Sequence, residues 1–414
     1  NDCVVTFANP GTTTWTVPTG IADLDVLLVG GGGGGGARNG AGGGGAEVVE
    51  NLSQPVTQGN SLTIVVGDGG VGGPGGDDYL SDANRRGADG SDSSLTISGT
   101  MTTAEGGKKA GSSGSGDASI IDGGFSGNGN SGGTGSNGGC TEGQSTDWCA
   151  GGGAGAGGVG GPAITTSPNQ GGQGGVGVES SITGSSTYFG GGGGGGVDAG
   201  VQAGTGGNGG GGNGGAGGAG AGDNGAASTG GGGGGGGYCN SGYSCEAGSA
   251  AGGNGGSGVV ILRYSLNPGQ PTSTSVVSAD GAITVDYTLP DHTGGGTLSL
   301  EYQILLASDS STVKDWTDLG ETDGTTTISP AEISNGTLYT VKLRAVNTLS
   351  GGSYRSSDVT VGDVIPGPAG EILRLDATHP EYDDETGAGK EWNDQAGSLD
   401  ADAQGDPTYN SRTK

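Results

Sequence analysis

Glycine-dominated stretches at residues 30–45, 151–161, 190–196, 204–222 and 230–237 constrain this chain more than any other feature. Glycine loses the most conformational freedom on ordering and has no side chain to bury. Ordering costs roughly 1–2 kcal/mol per residue in backbone entropy, so such a stretch folds only if its backbone groups find partners. Two outcomes are open. One is a flexible coil or brush. The other is a bundle of polyglycine II helices, with three residues per turn, a rise of about 3.1 Å per residue and no internal hydrogen bonds. Their N–H and C=O groups point outward and must pair with neighbouring helices. A lack of Cβ allows such helices to close on every side, as at the axis of collagen. Collagen itself is excluded, because no Gly-X-Y period runs through the chain and Pro is scarce.

The surroundings of the runs favour the bundle. Strand-like sequence occurs at residues 12–17, 21–29 (IADLDVLLV), 46–51, 61–66 and 258–265 (GVVILRYS), so apolar strands bracket and interleave the glycine. A linker between domains does not return to a strand after each run. Straight, a 16-residue run such as 30–45 would span about 50 Å. The run is interrupted at Ala37, Arg38, Asn39 and Ala41, and small interruptions such as Ala, Asn and Ser suit helix surfaces or turns between helices.

Charge narrows the partners. The chain has 43 Asp plus Glu against 14 Lys plus Arg, a formal net charge of -29. It repels polyanions, so nucleic acid and anionic membrane surfaces are poor partners. No run of 18 apolar residues is present, so no membrane insertion is expected. The chain begins at Asn1 without an initiator Met, as a processed chain would. Of five cysteines, Cys140 and Cys149 form one close pair and Cys239 and Cys245 another, with no His nearby. Local disulfides Cys140–Cys149 and Cys239–Cys245 are the simplest account and imply an oxidising, extracellular compartment. The alternative is two pairs of reduced thiols. Cys3 is left free or bridges to another chain.

The chain divides into three regions: 1–266, rich in glycine; 267–366, with short β runs at 282–287, 298–307, 325–328, 338–346 and 357–361; and 370–414, the start of a third unit. The segments TTTWTVPTGIADLDVLLVGGGGGGG, GNSLTIVVGDGG and GGNGGSGVVILRY resemble the glycine-rich domain of phage tail-fibre and bacterial surface proteins, related to one in the anaplastic lymphoma kinase family. The resemblance implies a tumour-necrosis-factor-like (TNF-like) jelly roll interrupted by a polyglycine II helix bundle. The second region, with LEYQILLAS and NGTLYTVKLRAVN, resembles a fibronectin type III β-sandwich. Tyr287 stands where that family has a core Trp, and Tyr339 matches its tyrosine corner. The third region, with LRLDAT, GKEWNDQAG and DPTYNS, resembles the opening of a concanavalin-like (laminin-G-like) lectin domain, an incomplete jelly-roll segment. The expected class is therefore all-β throughout.

Catalytic signals are scarce. GxGxxG recurs but means nothing at this glycine content, and residues 106–109 and 387–390 fail as P-loops for want of a following Ser or Thr. Neither His292 nor His379 lies in a nucleophile context, so no enzyme is expected. Residues 72–80 (GGPGGDDYL) fit the calcium nonapeptide once, where that fold needs stacked copies. Asp77 and Asp78, and separately Asp383, Asp384 and Glu385, are candidate calcium ligands; the simpler reading is solvated acidic loops. No other cofactor is expected. Aromatic residues near glycine runs are Trp15, Trp148, Tyr188, Phe189, Tyr238 and Tyr243. Trp148 and Tyr243, inside the two proposed disulfide loops, and Tyr238 beside one, are candidate ligand contacts, because a pinned loop is pre-ordered. The alternative is that the rings cover the ends of the bundle.

The expectation is a rigid extracellular attachment or display protein of a virion fibre. Its partners would be further copies of itself, as a homotrimer, other fibre or virion proteins, and a host-surface glycan. A bacterial surface or biofilm adhesin is the first alternative, and the non-catalytic part of a secreted glycan hydrolase the second.

Overall fold

The computed structural model describes residues 2–76, 85–111, 122–130, 132, 149–166, 169–198, 201–218, 220–239, 248–328, 333–349, 352–355, 359–366, 390–393 and 400–403. The described residues contain strands and no α-helix, so the all-β expectation holds. The chain divides into two compact units. One comprises Asp2–Pro18 and Ala22–Tyr264, the other Thr19–Ile21 and the residues from Ser265 onward.

The glycine-rich unit contains β1 (Asp2–Phe7), β2 (Gly11–Thr16), β3 (Asp23–Val29), β4 (Val48–Pro55), β5 (Ser61–Val66), β6 (Ser93–Ile97), β7 (Thr100–Ala104), β8 (Val178–Ser180), β9 (Thr187–Phe189), β10 (Tyr238–Cys239), β11 (Gly248–Ser249) and β12 (Val259–Ser265). Two four-stranded sheets have the orders β1-β12-β3-β4 and β2-β5-β6-β7. The closing strand β12 pairs antiparallel with β3, Val259 opposite Val29 and Ile261 opposite Leu27. In β5, Leu62, Ile64 and Val66 are buried while Ser61 and Thr63 are exposed, the period-two signature of a one-sided sheet. The buried Ser93 hydroxyl ties the two sheets, donating to the Val29 carbonyl at 2.6 Å and accepting from the Gly67 N–H at 3.0 Å.

Strand ends lead into glycine: β3 into residue 30, β5 into 67 and β9 into 190 directly, and β7 into 106 after Glu105. The glycine segments bond with a strict three-residue period. Along 30–38, the N–H groups of 31, 34 and 37 donate to the carbonyls of Ser91, Ala88 and Arg85. Those of 32, 35 and 38 donate to Gly256, Gly253 and Ala250, and those of 30, 33 and 36 to Glu47, Gly44 and Ala41. Each acceptor series descends by three, so these three neighbours run antiparallel. The carbonyls of this segment accept from Gly107 and Ala110, from Gly70 and Gly73, and from Gly233 and Gly236. Those series rise by three, so three more neighbours run parallel. Segment 30–38 is thus surrounded by six others and bonded to all of them.

Segments 40–47, 190–197 and 230–238 are enclosed in the same way. Cβ-free backbone makes this enclosure feasible. A Cβ at Gly32 would lie 2.0 Å from the Gly231 oxygen, at Gly33 2.2 Å from Lys108 O, and at Gly193 2.1 Å from Gly233 O. Around these four lie segments that read differently. Residues 67–73 are Gly-Asp-Gly-Gly-Val-Gly-Gly, 171–177 are Gly-Gly-Gln-Gly-Gly-Val-Gly, and 252–258 are Gly-Gly-Asn-Gly-Gly-Ser-Gly. Every third position carries a side chain: Asp68, Val71, Val176 and Asn254 are exposed and Gln173 and Ser257 half-buried, whereas Gly70, Gly73, Gly172, Gly175, Gly253 and Gly256 are buried. The uninterrupted glycine runs 30–36, 190–196 and 230–237 all lie in inner segments, and Gly-Gly-X triplets mark outer ones.

The second unit contains β13 (Thr272–Ala279), β14 (Ala282–Thr288), β15 (Thr297–Leu306), β16 (Thr312–Gly320), β17 (Gly324–Ile328), β18 (Tyr339–Leu349), β19 (Gly352–Arg355) and β20 (Val359–Val364). A three-stranded sheet, β13-β14-β17, faces a five-stranded one, β16-β15-β18-β19 with β20 also on β18. Their inner faces share one core that includes Ile283, Val285, Tyr287, Leu300, Ile304, Val341 and Leu343. Tyr287 is buried in it, and Tyr339 is 2 % exposed with its hydroxyl accepting the Ser334 N–H at 2.9 Å. Tyr339→Phe removes that bond to the exposed Ser334 and is expected to cost about 0.5–1.5 kcal/mol, read as a lower denaturant midpoint at unchanged slope. An unchanged midpoint would show the bond to be dispensable. Later in the sequence, β21 (Lys390–Asn393) and β22 (Asp400–Ala403) form an antiparallel pair.

Candidate contact surface at one end of the glycine segments

The inner segments that begin at 30 and 190 follow β3 and β9, and with the segment that begins at 230 they end together. Gly36 donates to Ala41 O, Gly236 to Gly36 O, and Gly196 to Gly40 O. Ala150 donates to Gly196 O, and Ala37 to Arg85 O. Here Cβ atoms return. Ala41, Ala110 and Ala150 form one fully buried cluster, and Cys149 and Val197 form another with Ala163, Val201 and Ala203 against it. Small apolar residues therefore seal the end, which glycine alone would leave without apolar cover.

Cys149 is completely buried, forms an antiparallel bridge with Val197, and is disulfide-bonded. Cys140 and Cys245, which complete the two expected disulfides, lie outside the described residues, and of Cys239 only the backbone in β10 is described. Trp148, Tyr243, Asp77 and Asp78 also lie outside the described residues, as does His379. Among the described residues no group of three or more His, Cys, Asp or Glu is placed to hold a metal ion.

Tyr238 is described and belongs to this end. Its N–H donates to the Val197 carbonyl at 3.2 Å, and its half-buried ring lies under the Arg38 guanidinium, 4.7 Å from the ring centre. Such a cation–π contact contributes about 0.5–2 kcal/mol. Arg38 and Asn39 have φ of 53° and 50°, the left-handed region that glycine occupies without strain. In a run that is otherwise almost all glycine, two bulky residues hold the positions where glycine fits best. Their side chains are used instead: Arg38 covers Tyr238, and Asn39 is 1 % exposed. Sequence reading treats both as interruptions, and the available signal is that polar residues occur at the turn itself.

The remaining aromatics belong to the opposite end. Phe189 is 5 % exposed and packs with Leu27, Val29, Ala46, Ile182, Val259 and Ile261, covering the glycine segments where they leave the sheet. Tyr188 is 38 % exposed and donates to Glu179 Oε2 at 3.1 Å; that hydrogen bond and the carboxylate charge hold its phenol above its ordinary range. Trp15 lies 6.0 Å from Tyr264, ring centre to ring centre. Burial, and then contact with the free thiol of Cys3, push the Tyr264 phenol up to about 12. His292 is 9 % exposed, with Nε2 2.9 Å from the Ser265 carbonyl.

At the end sealed by Ala41, Ala110 and Ala150, the described side chains place one guanidinium, of Arg38, over one aromatic ring, of Tyr238. No curated protein matches the chain. Residues 6–265 match the family described as a glycine-rich domain, from β1 to the last residue of the closing strand β12. That span is more than half of the chain, and the chain belongs to the glycine-rich domain family.

Proposed function

We propose that the chain is a stiff structural and adhesive element of an extracellular appendage, a virion-fibre subunit that serves host attachment or display and carries out no catalysis. The supporting observation is the enclosure of four glycine segments by six bonded neighbours each. Backbone fixed by hydrogen bonds in three directions resists bending, and segments packed this closely leave no room for a substrate between them. In this reading the segments are polyglycine II helices and the two four-stranded sheets a TNF-like jelly roll. The second unit is a fibronectin type III spacer, and residues 370–414 open a lectin-like domain for a host-surface glycan.

Gold-labelled antibodies against residues 267–366, applied to purified virions and to producing cells, test the proposal by electron microscopy. Gold along particle appendages is the expected result. Gold on the cell envelope alone would replace the virion with a cellular adhesin, and gold confined to the cytosol would remove the appendage reading.

A further inference from the structure

The outer glycine segments pose a problem that the inner ones do not. With a three-residue period, one row of N–H and C=O groups on an outer segment faces away from the bundle. Such a row resembles the open edge of a β-sheet, onto which another chain can add. A second copy of this chain carries the same segments and could continue the lattice sideways.

Side chains occupy these positions. Asn254 Oδ1 accepts the Gly72 N–H at 2.8 Å, and Asn224 Oδ1 accepts the Asn254 N–H at 2.8 Å. Asn213 Oδ1 accepts the Gly206 N–H at 3.0 Å, and its amide donates to Asp223 Oδ2 at 3.0 Å. Gln173 Oε1 accepts the Thr205 N–H at 3.0 Å. Asp92 Oδ1 accepts the Gly106 N–H and Asp89 Oδ1 the Lys109 N–H, each at 2.8 Å. Each bond joins two neighbouring outer segments, and the acceptor is a side chain, whereas the N–H groups of the inner segments donate to carbonyls except at Gly231, which donates to the Thr229 hydroxyl at the start of its segment. Asn254 and Gln173 occupy the X position of Gly-Gly-X triplets.

We infer that these side chains terminate the lattice. They take the N–H groups that a glycine segment of a second copy would otherwise bond, and so keep copies from joining side to side through their glycine segments. Any assembly of the chain must then use other surfaces. The inference is independent of whether the chain serves a virion or a cell.

The test compares two full-length variants. D89A/D92A/N224A/N254A removes four acceptors. D89N/D92N/N224D/N254D keeps an acceptor oxygen at all four positions and leaves the net charge at the wild-type value. Mass is measured by light scattering across a concentration series, with far-ultraviolet circular dichroism recorded on the same samples. The alanine variant is expected to gain mass with concentration, at least twofold above wild type, with wild-type dichroism; the acceptor-keeping variant is expected to stay at wild-type mass. A folded alanine variant at wild-type mass would overturn the inference, as would equal assembly of both variants. Assembly that has lost the wild-type dichroism also counts against it. Should the fourfold variant not fold, N254A against N254D makes the same comparison: assembly of N254A alone supports the inference, and equal mass of the two overturns it.

Discussion

Gly33→Ala abolishes the cooperative unfolding transition of the glycine-rich unit, or lowers its stability by more than about 4 kcal/mol. The added methyl would lie 2.2 Å from the Lys108 carbonyl oxygen and 2.5 Å from its carbon. Backbone atoms cannot rotate aside as a side chain can. Segment 30–38 cannot shift either, because it is bonded on six sides. Relief requires the lattice to open, and each buried N–H or C=O left without a partner costs about 1–3 kcal/mol. Gly193→Ala behaves alike, for its Cβ would meet Gly233 O at 2.1 Å. Gly158→Ala is the control. Its nearest neighbour is the Val176 side chain at 3.1 Å, so it is expected to cost under about 1 kcal/mol. Denaturant unfolding of the three variants checks the ranking. Equal and small effects would mean that inner and outer glycines are not distinct.

Leu343→Ala destabilises the second unit by about 2–5 kcal/mol. Leu343 is fully buried in the middle of β18, opposite Tyr302 of β15 and Val359 of β20. The two sheets meet at this side chain, so truncation leaves a cavity that neither hydrogen-bonded sheet can close by collapsing. Val277→Ala, in β13 and 40 % exposed, is expected to cost under about 1 kcal/mol. Denaturant titration separates the two, and similar midpoints would mean that the core lies elsewhere.

Strands with apolar alternation were legible in the sequence. The run expected at 61–66 is β5, Ser61–Val66, and those at 282–287 and 258–265 match β14 and β12 within a residue at each end. Some strands built from hydroxyl and charged residues were not, although the hydroxyl-rich β2 and β17 were expected at 12–17 and 325–328. β6 and β7 read SSLTI and TMTTA, and β16 reads TVKDWTDLG. They are strands because of what they pair with: β6 with β5, across 26 intervening residues, β7 with β6 and β16 with β15 as hairpin partners. A local signal for the β6–β7 hairpin is the Ser98-Gly99 turn, where both residues have positive φ.

Within the glycine, the strand returns at each end of a run foreshadowed an ordered domain. The difference between inner and outer segments was also present, as uninterrupted runs against Gly-Gly-X triplets, but too short-ranged to register as a repeat. At the candidate surface, cysteine spacing led to Tyr238, beside a proposed disulfide loop. It gave no hint of Arg38, because a contact across 200 residues leaves no mark on local spacing.

Amide hydrogen exchange across residues 30–36, 190–196 and 230–237 bears most directly on the claim that bare backbone here forms a solid. These glycine amides are expected to be protected as strongly as those of β3 and β12, and to be lost together in one cooperative opening. Exchange at the rate of an unstructured peptide, while β3 and β12 stay protected, would contradict it.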